Sequence, residues 1–229
     1  MFRPTILLVA ILAAACGGPR DVTVKVTLPD MDGVETPASG IPVVALPYNR
    51  DSVMATLERA QGSPRPNTAA LDSLFGVFRG PFLEHYRAGR ALEAARDSVE
   101  KGQLPSAALA EPTARAERSR AALASVRASV GPMADSLRIA VRAWEDSTYR
   151  TFDSLVKDLN ERARRKPVVD TTDATGHAEL RIPASRNDWY VTASSWDVTD
   201  PNMSWYWNMK LTGDTTVLDS RSGRRRPRY

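Results

Sequence analysis

A chain of 229 residues with a formal net charge of +4 and 42% hydrophobic residues has room for one large domain or two small ones, and too little charge bias to bind polyanions by field alone. Cys16 is the only cysteine, so no internal disulfide is available and the fold must rest on its core, a metal or a partner. The basic residues are 26 Arg against 5 Lys, and five of those Arg crowd into residues 221–228, so the raised isoelectric point owes much to one end of the chain and does not mark a nucleic-acid surface.

In chain order the first feature is an export signal. Met1-Phe2-Arg3 carries one positive charge, residues 6–12 are an apolar run, and Ala13-Ala14-Ala15 leads into Cys16. A basic start, a short apolar stretch and small residues at the cut make residues 1–15 a secretory signal peptide. The run is too short to span a bilayer as a helix. Small residues followed by a cysteine resemble the lipobox of bacterial lipoproteins. That resemblance implies that the Cys16 thiol is acylated, palmitate being one such acyl group, and becomes the new N-terminus. The protein would then be held on a membrane through the short tether 16–20. For a cell with two membranes, Gly17 after the cysteine implies the outer one, on its periplasmic or surface side. Export also argues against a nucleic-acid partner.

Residues 21–28 alternate strictly, with Val22, Val24, Val26 and Leu28 against Asp21, Thr23, Lys25 and Thr27, which predicts a half-buried strand. After a loop at 29–40, residues 41–46 read as a second strand, with Pro42 suggesting an edge or a bulge. The period then becomes helical. Asp51 or Ser52 can cap a short helix bearing Val53, Met54 and Leu57, closed by Gly62. A second helix carries Leu71, Leu74, Phe75 and Phe78, is interrupted at Gly80-Pro81, and resumes with Phe82, Tyr86 and Val99. A loop at 102–112 precedes a third helix over 113–130, which Gly131-Pro132 separates from a fourth. That fourth helix, 133–165, carries one stripe of Leu137, Val141, Trp144, Thr148, Phe152, Leu155 and Leu159, and Pro167 stops it. Alternation returns with Ala178, Leu180 and Ile182, then Trp189, Val191 and Ala193, then Trp205, Trp207, Met209 and Leu211, and a turn at 212–214 leads into 215–218. Residues 220–229 lack any apolar pattern and are expected to be a disordered basic tail.

Two strands before the helices cannot stand as a domain of their own. The chain is therefore predicted to be α+β: a small antiparallel β-sandwich of about six strands, built from 21–47 and 167–219 and interrupted by a helical hairpin or bundle at 48–166. Several short pieces carry a resemblance. They are Gly40-Ile41-Pro42-Val43-Val44, the turn Thr172-Asp173-Ala174-Thr175-Gly176-His177-Ala178, the strand Trp189-Tyr190-Val191-Thr192-Ala193, and Leu211-Thr212-Gly213-Asp214-Thr215. Together they resemble the carboxypeptidase regulatory-like (transthyretin-like) domains of bacterial envelope proteins. The resemblance implies a β-sandwich serving as a scaffold or binding module, and transfers no catalytic residue.

Chemistry-bearing motifs are sparse. The chain holds no P-loop, no G-x-G-x-x-G, no H-E-x-x-H and no G-x-S-x-G, and His85 and His177 are its two histidines. No cofactor is expected. Asp170 and Asp173 before Gly176, and Asp197 and Asp200 near Asn202, could supply oxygen ligands to calcium. Neither pair has EF-hand spacing, and ordinary Asp turn chemistry accounts for both. Six aromatic residues lie between 189 and 207. Alternation sends Trp189, Trp205 and Trp207 to a core, which leaves Tyr190, Trp196 and Tyr206 as candidate exposed stacking residues for a sugar. The expectation is a non-catalytic envelope protein that scaffolds or binds a protein partner through its helical insert. The alternative is a carbohydrate-binding module.

Overall fold

The computed structural model describes residues 18–183 and 188–228. The signal peptide and Cys16 lie outside the described residues. The alternating segment becomes β1 (Arg20–Pro29), whose Val22, Val24 and Val26 are fully buried. A short β2 (Glu35–Pro37) and β3 (Pro42–Leu46) follow, and after the helices come β4 (Val168–Thr171), β5 (His177–Ile182), β6 (Tyr190–Trp196), β7 (Met203–Lys210), β8 (Thr215–Leu218) and β9 (Arg224–Pro227).

Two sheets result. In the first, β1 pairs antiparallel with β5, setting Val22 opposite Leu180 and Val24 opposite Ala178. Its other side pairs in parallel with β8 and, nearer its end, antiparallel with β2. The second sheet has the order β4-β3-β6-β7-β9, antiparallel throughout. Alternation turns the valines of β1, Val43 and Ala45 of β3, Val191 of β6, and Trp205 and Trp207 of β7 inward, and these residues form one continuous buried cluster between the sheets. Trp207, the largest fully buried side chain, donates from its indole nitrogen to the Asp219 carbonyl at 2.9 Å, so its polar atom is satisfied.

All the α-helices among the described residues lie between β3 and β4: α1 (Arg50–Ala60), α2 (Ala69–Glu100), α3 (Ala110–Thr148) and α4 (Phe152–Ala163). A 3-10 turn, Ser106–Leu109, joins α2 to α3. These two helices of 32 and 39 residues span about 48 and 58 Å at the α-helical rise. They run antiparallel. Glu84 bridges to Arg115 at 2.9 Å, His85 meets Ser119, and the Arg127 guanidinium lies over the Phe78 ring. A small cluster of Leu71, Phe75, Ala134 and Val141, with Leu74 and Leu137 against it, is their shared core. Among the described residues no helix is long and apolar enough to cross a membrane.

The structure corrects the sequence reading at four places. The described residues form nine strands rather than about six, and the three extra ones, β2, β4 and β9, have only three or four residues each, too few for a period to show. The described part of the expected tail, residues 220–228, is not disordered. Arg224–Pro227 is the edge strand β9, paired with β7, and its arginines are engaged by aspartates. Pro42 opens an internal strand, flanked by β4 and β6, where its missing N–H costs least because it is the first residue. Gly131-Pro132 does not end a helix, and neither does Gly80-Pro81. Pro132 lies inside α3 and Pro81 inside α2. A proline removes one backbone hydrogen bond and bends a helix, and a long helix with an exposed side tolerates that. The break falls instead at 149–151, so the stripe is divided. Val141, Trp144 and Thr148 are buried on the hairpin, while α4 turns back toward α1 and β6.

The turn before β5 sets the register of the first sheet. Asp173 accepts from the backbone N–H groups of Thr175 and His177, Gly176 adopts φ +79°, and its carbonyl accepts from Val26 at 2.8 Å. A β-carbon at Gly176 would stand 2.6 Å from the Val26 carbonyl oxygen, a backbone atom that cannot move aside. Replacement Gly176→Ala is expected to destabilise the protein by about 2–3 kcal/mol, read as a lower midpoint in urea denaturation.

Candidate functional site

The three aromatic residues singled out in the sequence lie on the outer face of β6 and β7, but they do not make one platform. Tyr190 and Trp196 stand at opposite ends of β6, about 20 Å apart at the strand rise. Trp196 is 48% exposed. Tyr190 lines an open cleft of about 570 Å³ with Tyr48, Arg162 and Asp188. Tyr206, expected to be exposed, is only 4% exposed. Helix α1 and strand β9, neither of which the local pattern of β7 reveals, close over it. The Arg226 guanidinium lies 3.5 Å above its ring, and Arg50 and Arg224 flank it.

Beneath that cover is a polar network. The Tyr206 hydroxyl donates to Asp51 Oδ1 at 2.9 Å, Arg226 donates to the same oxygen at 3.2 Å, and Arg224 pairs with Asp51 Oδ2. Asn49 caps α1, accepting from the Ser52 N–H and from Asn208 on β7. Burial pushes the Asp51 carboxyl up. Hydrogen bonds from Tyr206 and Asn208 and the charge of Arg226 outweigh it, so the group stays below the usual carboxylate range. Burial and the neighbouring Asp51 carboxylate push the Tyr206 hydroxyl up.

The acidic turns are also accounted for by the protein's own groups. Asp170 accepts from the Glu179 N–H at 2.6 Å, and Asp173 serves the turn described above. Asp197 is 1% exposed. It accepts from the Thr199 N–H and hydroxyl with one oxygen and from Arg225 at 2.7 Å with the other. Asp200 stands 3.6 Å from the same guanidinium. At this second pair the positive charge is supplied by Arg225. Among the described residues, no group of three or more His, Cys, Asp or Glu is placed to hold a metal ion. His85 lies 3.4 Å from the Ser119 hydroxyl, and His177 lies 2.9 Å from that of Thr175.

The Asp197–Asn202 turn is what the helical hairpin meets. Arg138 of α3 donates to Asn202 Oδ1 at 3.3 Å, approaches Asp135 at 3.5 Å, and stacks 4.9 Å from the Phe75 ring centroid. The backbone of Asn202 is held on both sides, its N–H by Asp200 and its carbonyl by the Arg228 N–H. Between this turn and the hairpin is a cavity of about 320 Å³ walled by Phe75, Phe78, Val130 and Ala134, with Arg127, Asp135, Arg138 and Asn202 as its polar members. In the sequence Asn202 stands only within a calcium-like cluster, and Arg138 belongs to no motif. The one available signal was the Arg224-Arg225-Arg226 run, which alternation would split between two faces.

Two outcomes follow from these contacts. Replacement Asp197→Ala strands a partly buried guanidinium and two donors of Thr199. A loss of about 3 kcal/mol in urea denaturation is expected, together with faster tryptic cleavage within 221–228 as β9 loosens. A carboxylate held low in the folded state contributes stability that is complete above its unfolded pKa, near 3.8, and is lost as pH falls through the folded value. Asp51→Asn should therefore be less stable than the parent at pH 7 by about 1–2 kcal/mol. The gap should close as pH drops below about 4, read from denaturation midpoints across pH.

No family model, curated protein or solved structure matches this chain.

Proposed function

We propose that this is a non-catalytic envelope lipoprotein, anchored through Cys16, in which a two-sheet sandwich of carboxypeptidase regulatory-like type carries the α2–α3 hairpin toward a partner protein. The carrying observation is the hairpin itself. Two helices of 32 and 39 residues share a small core and leave Val77, Met133 and Ile139 more than half exposed. The layout supports the same reading. β1 starts at Arg20, four positions after Cys16, and runs about 33 Å to its far end. Asp30, Met31 and Asp32 at that far end lie across a cleft from Tyr86, Arg87 and Arg90 of α2. An anchor at Cys16 therefore puts the membrane at one pole of the sheets and the hairpin at the other.

The glycan alternative keeps one favourable observation, the open cleft where Tyr190 and Tyr48 stand with Arg162 and Asp188. Tyr206 contributes nothing to it because α1 and β9 cover the ring.

Radiolabelled palmitate should mark the parent protein and fail to mark Cys16→Ser, and the variant should leave the membrane fraction. Photo-crosslinking residues at positions 77, 133 and 139 in intact cells should each give the same protein adduct. No adduct from any hairpin position, with cell-wall fragments captured from position 190 instead, would transfer the function to glycan binding.

A further inference from the structure

The end of the molecule where β1 starts carries positive charge that its own acids do not match. Strand register defines that end. Arg20 opens β1 opposite Ile182, the last residue of β5, and Tyr190 opens β6 opposite Leu46 and Lys210. The two sheets are tied together here, the Leu211 N–H donating to the Trp189 carbonyl and the Thr23 N–H to that of Asp214. Ala45 pairs with both Val168 and Val191, so the residues just before Val168 lie at the same end. Helix α4 finishes there too, its Arg162 and Ala163 lining the open cleft with Tyr48, Asp188 and Tyr190. The acids of this end are answered one for one. Asp21 faces Arg181 across β1 and β5, Asp188 pairs with Lys210 at 2.8 Å, Asp214 with Arg20 at 3.8 Å, and Glu161 with Lys157 at 4.0 Å. Arg162, Arg164, Arg165 and Lys166 are left over, and among the described residues none of the four has an ion pair. Arg162, Arg164 and Lys166 are exposed and Arg165 is half-buried, while Asp153 and Asp158 stand on earlier turns of α4.

The helix itself does not call for this cluster. A helix C-terminus favours a cation through its dipole, and Arg162 suits that role. Arg164 sits at φ 51°, the left-handed conformation that glycine adopts at less cost where a helix ends. Neighbouring cations repel one another, and a surface bearing many negative charges relieves that repulsion for all of them at once. Position selects the surface. Cys16 precedes Arg20 by four positions, at most about 14 Å of chain, so an anchor there holds this end against the membrane. Tyr48 and Tyr190 stand half-buried beside Arg162, and tyrosine suits a boundary that is apolar on one side and wet on the other. The arginines of β9 do not compete for this role, because Asp51 and Asp197 hold them. We propose that residues 162–166 form a docking surface for the anionic lipid headgroups of the membrane that carries the anchor, with Tyr48 and Tyr190 at its edge. The orientation rests on anchoring at Cys16; what the hairpin meets does not enter.

Vesicle co-sedimentation of the full chain carrying Cys16→Ser tests it, since no acyl group then holds the protein to lipid. Residues 1–15 are common to every sample, so their own affinity for lipid cancels in each comparison. Partition into phosphatidylcholine vesicles containing phosphatidylglycerol should exceed that into pure phosphatidylcholine by about a hundredfold at about 0.1 M salt, and the excess should vanish near about 1 M. Arg164→Gly relaxes the left-handed position, so the urea midpoint should hold or rise while the anionic partition weakens by about fivefold. Adding Arg162→Gln and Lys166→Gln should remove most of the excess. Arg87→Gln, Arg96→Gln and Arg120→Gln together take the same charge from exposed positions on the hairpin and should change the partition by less than about twofold. Equal partition into both kinds of vesicle, or equal losses from the hairpin variant and the 162–166 variant, would overturn the docking surface. The two readings fail separately: absence of palmitate labelling overturns the anchor, and equal partition here overturns the docking surface alone.

Discussion

Alternation along β9 sends Arg224 and Arg226 to one face of the second sheet and Arg225 to the other, and the sheets are joined to the helices through this division. On the outer face Arg224 and Arg226 reach Asp51, which fastens α1 over Tyr206. On the inner side Arg225 lies 6.0 Å from the centroid of Trp205 and gathers Asp197 and Asp200, which shapes the turn that Arg138 of the hairpin contacts. A four-residue strand with no apolar side chain other than Pro227 thus couples the end of the chain to two separate parts of the helical insert.

Polar fastening is needed because the apolar resources are unevenly spread. The cluster between the sheets includes three tryptophans and a set of fully buried valines, and each large side chain there contributes about 1.5–3 kcal/mol. The hairpin has little more than Leu71, Phe75, Ala134 and Val141 to set against the ordering of its two long helices. What its helices lack in shared core they make up with intrahelical hydrogen bonds, with alanine- and arginine-rich composition, and with pairs such as Glu84–Arg115. Those terms stabilise helices but do not orient them. Orientation comes from the base: Trp144 donating to the Ser63 carbonyl, Arg65 bridging to Glu145, and Arg138 on Asn202.

The parts of this fold that were legible in the sequence are those where one local period decides the outcome. The valines of β1 and the inward Trp205 and Trp207 follow from alternation with a single buried face. The failures have a common cause in partners distant along the chain. Tyr206 alternates outward as read, yet is covered by α1, more than a hundred and fifty positions earlier, and by β9. The arginines of 224–226 look like a solvated tail until the aspartates at 51, 197 and 200 are brought to them. Gly131-Pro132 reads as a boundary because proline disfavours a helix locally, but continuity with the packed residues Ala134 and Val141 overrides that preference. The cavity was illegible for the same reason: Phe75 and Asn202 belong to elements that meet only in three dimensions.

Topology explains why the insert takes the form of a hairpin at all. β3 and β4, the strands on either side of it, are direct neighbours, with Ala45 opposite Val168. Whatever is inserted must therefore leave and return at the same place, which favours paired antiparallel helices over a single long one. A lone helix would also leave its apolar stripe uncovered, whereas α2 and α3 hide theirs against each other. The short helices α1 and α4 then serve as the two footings of the arm. Asp51 pins the first, and Arg50 stands between Phe152 of the second and Tyr206 of the sheet. Reach is thereby added to the two sheets without disturbing their register, and the cavity at Asn202 lies where that arm first crosses the base.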